Sequence, residues 1–166
     1  LVHNTHKHSS RERVSQSSYT MHMDTVRHTL KRFIPKPLFR FFQPYYHYLL
    51  AWYGAYKYSH PSKEIVVIGI TGTKGKSSTT EILAQILRGD GKLVASLSTI
   101  QFSIGNTRER NLYKMTMPGR FFVQKFLRDA VDAGCTHAVV EMTSEGAKQY
   151  RHRFIDIDAL VYTNLT

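Results

Sequence analysis

A glycine-rich segment between a short apolar run and an amphipathic stretch constrains the fold of this chain more than any other feature. The apolar run covers residues 65–68, and its β-branched residues are typical of a buried strand. The glycine-rich segment covers residues 69–79, with the sequence GITGTKGKSST. Residues 77–88 then carry apolar side chains at helical spacing. The order of strand, glycine loop and helix predicts a phosphate-binding loop.

The chemistry of this loop suits a nucleoside triphosphate. Glycines let backbone N–H groups turn toward phosphate oxygens, and a helix start adds unpaired N–H groups and a positive dipole end. We expect the Lys76 ammonium to contact the β- and γ-phosphates and the Ser77 hydroxyl to ligate Mg²⁺. The residues predicted to bind phosphate are Gly72, Thr73, Lys74, Gly75, Lys76, Ser77 and Ser78.

The spacing within the loop narrows the class of protein. The general pattern G-x-x-x-x-G-K-[ST] needs a glycine five residues before Gly75, where this chain has Ile70. The match to kinases, GTPases and motor-type ATPases is therefore weakened. The dinucleotide pattern G-x-G-x-x-G is absent from the loop. A narrower pattern, G-T-x-G-K-[ST], fits Gly72 to Ser77.

The rest of the globular part alternates between strand and helix patterns. This alternation predicts an α/β fold, a mostly parallel sheet with helices on both faces. Gly105-Asn106 is predicted to be a turn, and Pro118 stands where a helix can start. Further strands are predicted at residues 93–97, 100–104, 137–142 and 159–163, and a helix between Pro118 and Gly134.

Charge and cysteine content separate the two halves of the chain. The formal net charge is +11, of which residues 1–63 contribute +8 (ten Lys/Arg against two Asp/Glu). Residues 64–166 contribute only +3 (thirteen against ten). The single cysteine, Cys135, cannot form an internal disulfide and is predicted to be buried. No apolar run reaches the length of a membrane span, and no signal-peptide pattern opens the chain.

The basic N-terminal part divides into two segments. Residues 1–20 are polar and are predicted to be disordered or a non-native leader, since the chain begins with Leu and the true start could be Met21 or Met23. Residues 21–62 form a basic, aromatic segment, and residues 63–166 the globular domain. Prolines at 35, 37 and 44 are predicted to prevent a long helix, and residues 60–62 to form a linker.

Two interpretations of the aromatic segment stay open. Residues 26–58 could lie on a membrane surface, with basic side chains at anionic lipid and Trp52 and the tyrosines at headgroup level. Alternatively, the aromatic side chains of this segment pack on the following domain or on a partner. Binding to nucleic acid is not expected, because no DNA- or RNA-binding motif is present.

The narrow loop pattern resembles the Mur ligase family and the related folylpolyglutamate synthetases. Other segments extend the likeness to the Mur ligases over residues 64–166. Glu141 to Ser144 is similar to the family's Glu-Val-Ser-Ser motif, and Thr163 to Leu165 to its Thr-Asn-Leu turn. Met115 to Pro118 stands where the family has a Thr-Thr-Pro substrate loop. The order best resembles the branch that adds the third residue of the peptidoglycan stem peptide.

The resemblance implies a function and further site residues. It implies a cytoplasmic, ATP- and Mg²⁺-dependent ligase that joins an amino acid to a UDP-N-acetylmuramoyl-peptide through an acyl phosphate. Glu141 would be the acidic Mg²⁺ ligand beside Ser77. Thr116, Ser144 and Arg151 would hold the muramoyl-peptide substrate, and Asn164 would help shape the site. Alternatives are a folylpolyglutamate-synthetase-like glutamate ligase and a membrane-peripheral nucleotide-binding module without ligase activity.

The sequence also departs from the family pattern. Glu145 replaces a common His, and Met117 stands where a second Thr is usual. The family's uridine-binding domain is absent from the N-terminal part, and its metal-binding His and carbamylated Lys would follow residue 166. We therefore expect residues 63–166 to be the N-terminal part of a central ATP-binding domain, and residues 1–166 alone to be inactive as a ligase.

Overall fold

A computed structural model describes residues 36–113 and 115–164, and in the first helix it leaves the side chains of residues 36–41, 43 and 44 undescribed. The predicted leader at residues 1–20 lies outside these ranges. Two compact units are distinguished, residues 1–43 and residues 44–166. The second unit holds the sheet and the candidate site.

A six-stranded sheet with the order β4-β3-β2-β5-β1-β6 forms the centre of the second unit. The four strands β2, β5, β1 and β6 run parallel, while β3 and β4 add an antiparallel hairpin at one edge. The strands are β1 (Val66–Thr71), β2 (Val94–Leu97), β3 (Gln101–Ile104), β4 (Thr107–Arg110), β5 (His137–Glu141) and β6 (Ala159–Tyr162). The helices are α1 (Lys36–Lys57), α2 (Lys76–Gly89), α3 (Arg120–Asp132) and α4 (Ser144–Lys148).

Both faces of the sheet are buried, which explains why its central strands are apolar without alternation. On one face, Ala84 of α2 packs with Ile70, Val94 and Val139. On the other face, α3 packs against alternate residues of the same strands. This second cluster includes Val67, Ala95, Leu97, Val123, Leu127, Ala138 and Val140. The predicted fold class, a mostly parallel sheet with helices on both faces, is confirmed.

Strand β4 was not predicted from the sequence. Its residues Thr107–Arg110 are all exposed, and the segment has no apolar side chain to mark a strand. It forms because the turn at Gly105-Asn106 folds the chain back onto β3, with which it pairs through backbone hydrogen bonds. Gly105 adopts a positive φ of 55° in this turn.

The prediction that prolines prevent a long helix is wrong. Helix α1 runs over 22 residues, from Lys36 to Lys57, and passes through Pro37 and Pro44. Pro37 lies in the first turn, where the N–H has no helical partner and proline is tolerated. Pro44 lies inside the helix and removes one backbone hydrogen bond without ending it.

One face of α1 packs on the domain, and the opposite face is largely exposed. Ala51 and Ala55 are buried, and an added Cβ at Gly54 would touch Phe121 and Gln124 of α3. The opposite face exposes aromatic and apolar side chains, a set that we call the aromatic face. It consists of Tyr45, Leu49, Trp52 and Tyr56. Tyr53 is half-exposed, and its ring packs edge to face on Phe121 of α3.

The predicted linker at residues 60–62 is an ordered part of the domain. Pro61–Lys63 form a 3₁₀ turn in which Pro61 and Ser62 are buried. The Ser62 hydroxyl accepts a hydrogen bond of 3.0 Å from the Asp156 N–H. The burial predicted for Cys135 is confirmed, and that burial raises the pKa of its thiol.

Candidate functional site

The order of the parallel strands brings four loops to one edge of the sheet. The loop after β1 lies between the ends of β5 and β6, because β1 pairs with both strands. Glu141 ends β5 opposite Ile70, and the segment after β2 lies on the other side of β5. The carboxyl edge of a parallel sheet is where ligands of α/β proteins bind. Candidate residues distant in sequence therefore meet here.

The glycine loop between Thr71 and Lys76 requires glycine at two positions. Gly72 has a φ of 134° and Gly75 a φ of 79°, both in the region that favours glycine. At Gly72 space is also lacking, since an added Cβ would lie 2.1 Å from the Thr163 hydroxyl oxygen. At Gly75 nothing lies within 4 Å of an added Cβ, so only the backbone conformation matters.

The turn after β6 holds the first half of the glycine loop. The Asn164 side-chain oxygen accepts hydrogen bonds from the N–H groups of Thr73 (3.1 Å) and Lys74 (3.0 Å). The Thr163 hydroxyl donates to the Lys74 carbonyl oxygen at 2.8 Å. Sequence reasoning placed Asn164 near the site only through the family motif. The contacts show that it fixes the loop from about 90 residues away in the chain.

The second half of the loop leads directly into α2 and keeps its donors directed outward. Gly75 precedes the helix, and within the described residues no side chain caps the helix start. The N–H groups of the first helical turn therefore have no intrahelical partner, as at any helix start. The Lys76 ammonium lies over the loop, 2.9 Å from the Gly72 carbonyl oxygen and 3.2 Å from that of Thr73. This combination of N–H groups, helix dipole and ammonium suits phosphate.

A cavity of about 280 Å³ lies over these donors. Six of the seven predicted phosphate-binding residues line it, and Gly72 does not. Glu141 and Ile100 complete the lining. The structure thus places the loop and the predicted acidic ligand around one space.

Glu141 and Ser77 fit the coordination of Mg²⁺. The Glu141 side chain is 2% exposed, and its Oε2 accepts a hydrogen bond of 2.8 Å from the Ser77 hydroxyl. An octahedral Mg²⁺ at its usual bond length places neighbouring ligand oxygens about 3 Å apart, so these two oxygens fit adjacent positions. Within the described residues no group of three or more His, Cys, Asp or Glu side chains could hold a metal. A magnesium ion here would need phosphate oxygens and water as its other ligands.

Thr99, which sequence reasoning missed, joins two of the predicted site residues. Its backbone N–H donates to Glu141 at 2.8 Å, and its hydroxyl lies 2.7 Å from that of Thr116. The Asn111 side chain holds the loop that carries Thr116, since its amide donates to the carbonyl oxygens of Ser98 and Met115. The signal that could have found Thr99 is its position in a short polar segment, Ser98-Thr99, at the carboxyl end of a buried parallel strand.

None of the three predicted substrate residues, Thr116, Ser144 and Arg151, lines the cavity. Ser144 is exposed at the start of α4, behind the cap formed by Thr143. The Arg151 guanidinium donates to the Met117 carbonyl oxygen and, at 2.8 Å, to the Gln149 side chain. Burial lowers the pKa of Arg151. In this structure Arg151 therefore holds the backbone of the loop that carries Thr116.

A second, larger cavity of about 600 Å³ lies at the opposite end of the strands. It is formed by residues 62–66, 135–136, 156 and 158. Asp158 in its wall accepts a hydrogen bond of 2.7 Å from the Val67 N–H. None of the predicted site residues lines this cavity, so its size does not make it the candidate site.

Comparison with known proteins decides the family. The sequence profile of the Mur ligase middle domain matches residues 70–166, more than half of the chain. The chain belongs to the Mur ligase family. The match begins at the end of β1 and covers the glycine loop, Glu141 and Asn164, so it contains the whole of the site described above.

The chain is also similar in sequence to individual Mur ligases. The chain is 38% identical over 100 residues to the UDP-N-acetylmuramyl-tripeptide synthetase of Treponema pallidum, covering 60% of this chain and 18% of that protein. It is 40% identical over 111 residues to the Treponema denticola synthetase of the same name, covering 66% and 21%. A Chlamydia caviae UDP-N-acetylmuramoyl-L-alanyl-D-glutamate--2,6-diaminopimelate ligase is 34% identical, covering 66% and 22%. The chain spans about a fifth of the length of the curated relatives it matches.

A solved Mur ligase structure supports the fold. The structure of a UDP-N-acetylmuramoyl-L-alanyl-D-glutamate--2,6-diaminopimelate ligase matches with a TM-score of 0.59 and 24% identity. The match covers 68% of this chain and 23% of that one.

Proposed function

We propose that this chain supplies the nucleotide-binding part of an ATP-dependent Mur ligase of peptidoglycan precursor synthesis. The observation that carries the proposal is the contact between Ser77 at the start of α2 and the buried carboxylate of Glu141, beside a lysine-bearing glycine loop. Those groups can hold a triphosphate and Mg²⁺ together. In domain terms, residues 63–166 are the N-terminal part of the central domain, preceded by the segment at residues 21–62.

The names of the relatives favour a UDP-N-acetylmuramoyl-peptide as acceptor and an amino acid as the second substrate. In the proposed reaction, an acceptor carboxylate oxygen attacks the γ-phosphorus of ATP, and ADP leaves. The amine of the amino acid attacks the carbonyl carbon of the resulting acyl phosphate. The C–N bond forms, the C–O bond to the phosphate breaks, and the nitrogen loses a proton as inorganic phosphate leaves and the amide is completed. A folylpolyglutamate-synthetase-like ligase would use the same steps on another acceptor, but the relatives favour the muramoyl branch.

The residues of this chain serve the phosphoryl-transfer step. Lys76 and the N–H groups of the first turn of α2 hold the γ-phosphate oxygens where negative charge is spread. A bound Mg²⁺, held by Ser77 and Glu141, would neutralise charge on the phosphate oxygens. Thr116 and Ser144 are proposed to contact the acceptor, with Arg151 beside them. None of the described residues around the cavity is placed to deprotonate the attacking amine. We therefore expect residues 1–166 alone to bind nucleotide and not to ligate.

Titration calorimetry of the chain with ATP tests the proposal. We expect measurable binding in the presence of Mg²⁺ and weaker binding when EDTA removes the metal, because the Glu141–Ser77 site acts only through the ion. An amide-synthesis assay with the same preparation should show no product. Absence of ATP binding at any Mg²⁺ concentration would overturn the proposed function. Amide synthesis by residues 1–166 would overturn the expectation that this part of the enzyme binds nucleotide but does not ligate.

A second element of the proposal is contact of a cytoplasmic enzyme with an anionic membrane surface. Trp52 and Tyr56 of the aromatic face are 49% and 66% exposed, with their rings stacked at 5.9 Å. Residues 26–58 contain six Lys/Arg and no Asp/Glu. Basic residues beside exposed Trp and Tyr suit an anionic headgroup layer. Among the described residues, no helix is both long enough and apolar enough to cross a bilayer.

Vesicle co-sedimentation tests this membrane contact. We expect the chain to sediment with phosphatidylglycerol-containing vesicles and not with pure phosphatidylcholine. Replacing Trp52 and Tyr56 together by serine should weaken binding by about tenfold or more, since two large rings lose their apolar contact. The matched control replaces Ile82 and Ile86, an exposed pair at the same spacing on α2, and should change binding little. Equal binding by both double variants, or no binding by the unaltered chain, would contradict the contact.

A further inference from the structure

We infer that Thr99 is a positioning residue for the Glu141 carboxylate and that its hydroxyl sets the direction of hydrogen bonding between Glu141 and the Thr116 loop. The inference rests on the proposed function, because it assigns Thr99 a role at the Mg²⁺ site formed by Glu141 and Ser77. It adds a residue that lies outside the glycine loop and outside the motifs that identify the family in the sequence.

Thr99 binds Glu141 through two separate groups. Its N–H donates to Oε2 at 2.8 Å, and its hydroxyl lies 3.0 Å from Oε1 and 3.1 Å from Oε2. The Ser77 hydroxyl supplies another contact, to Oε2 at 2.8 Å. A carboxylate that is 2% exposed has little water to satisfy it, so these contacts replace its hydration. They also fix the plane of the carboxylate against rotation.

The chemistry of the groups fixes the direction of these bonds. A carboxylate can only accept, so the single hydrogen of the Thr99 hydroxyl is directed at Glu141. The Thr99 oxygen must then accept in its 2.7 Å contact with Thr116, which makes the Thr116 hydroxyl the donor. The hydroxyl hydrogen of Thr116 is therefore donated to Thr99 and is not available to a substrate. Its lone pairs remain to accept from an N–H or O–H of an acceptor substrate, rather than to donate to a carboxylate.

This arrangement links the metal ligand to the substrate loop. Glu141, Thr99 and Thr116 belong to three segments that are 17 and 42 residues apart in the chain. Partners that orient a metal ligand from outside the coordination sphere commonly change metal affinity by about 10- to 100-fold when they are removed. Thr99 meets that description, since it contacts the ligand and lies outside the cavity lining.

The test is the Mg²⁺ dependence of ATP binding by Thr99→Val, measured by calorimetry at a series of Mg²⁺ concentrations. Valine keeps the volume and the backbone N–H but removes the hydroxyl. We expect the Mg²⁺ concentration needed for half-maximal ATP binding to rise about tenfold. ATP affinity in EDTA and the melting temperature should stay near those of the unaltered chain. Thr99→Ser, which keeps the hydroxyl, should need the same Mg²⁺ concentration for half-maximal ATP binding as the unaltered chain. Thr116→Val should have a smaller effect than Thr99→Val, because the Thr99 hydroxyl still donates to Glu141.

Several outcomes would overturn the inference. An unchanged Mg²⁺ requirement in Thr99→Val would show that the hydroxyl does not position the ligand. An equal loss of ATP affinity with and without Mg²⁺, together with a lower melting temperature, would show a general structural role. A rise in the Mg²⁺ requirement of Thr116→Val as large as that of Thr99→Val would contradict the assignment, because the Thr99 hydroxyl should still donate to Glu141 when the Thr116 hydroxyl is removed. These results differ from failure of the proposed function, in which the unaltered chain itself would not bind MgATP.

Discussion

Replacing Lys76 by alanine is expected to weaken MgATP binding by about 30- to 150-fold, the equivalent of about 2 to 3 kcal/mol for a lost charge-assisted contact. The physical reason is the position of the ammonium. It lies within 2.9 Å of the Gly72 carbonyl, over the cavity lined by the first turn of α2. No other side chain of that lining except Lys74 carries a positive charge. Titration calorimetry on the 166-residue chain measures the change.

The fold should tolerate this substitution. Alanine is the residue most favourable to a helix, and position 76 is the first of α2, so the melting temperature should change little. Lys92→Ala is the matched control, since Lys92 is exposed and lies beyond the other end of α2. It should bind MgATP as the unaltered chain does. If Lys76→Ala and Lys92→Ala bound MgATP equally well, the phosphate-binding role of the loop would be wrong.

Replacing Gly72 by alanine is expected to destabilise the domain by about 3 kcal/mol or more and to lower its melting temperature by about 6 to 12 °C. Two effects add. An alanine is strained at a φ of 134°, and its Cβ would lie 2.1 Å from the Thr163 hydroxyl oxygen. The chain must move Thr163, and with it Asn164, which holds the Thr73 and Lys74 N–H groups. Thermal unfolding followed by circular dichroism measures the stability, and calorimetry the accompanying loss of MgATP binding.

Two other glycines separate these effects. Gly75→Ala has the unfavourable φ of 79° with nothing within 4 Å, so it should show the backbone strain alone. Gly89→Ala lies at the end of α2, without a positive φ and without a close neighbour, and should be neutral or slightly stabilising. A melting temperature of Gly72→Ala as high as that of Gly89→Ala would show that the turn after β6 leaves room for a side chain at position 72.

The sequence by itself determined the parts of this protein that are local in the chain. The strand, glycine loop and helix over residues 65–88 are consecutive, so their spacing and residue types define the fold of the segment and predict a phosphate site in it. The other parallel strands were predicted within about two residues. Strands β2 and β5 are buried on both faces and are mostly apolar, and β6, although largely exposed, still has the apolar run Ala159–Tyr162. Strand β4 was not predicted, because an exposed edge strand that pairs through its backbone needs no apolar pattern. The length of helix α1 was not predicted, because the unfavourable effect of proline on a helix is a local preference. Packing of the helix on the domain through Ala51 and Ala55 outweighs that preference.

Only the tertiary structure decided how the site is assembled. The strand order places the ends of β2, β5, β1 and β6 at one edge, and no local pattern specifies that order. It is this order that brings Thr99 to Glu141 and Asn164 to the glycine loop, across 42 and about 90 residues of chain. It also directs Arg151 to the Met117 backbone, where a sequence motif alone suggested a substrate contact. The residues proposed to bind phosphate are adjacent in the sequence. The residues that orient them come close only after folding, because hydrogen bonds between loops depend on distances that spacing along the chain does not encode.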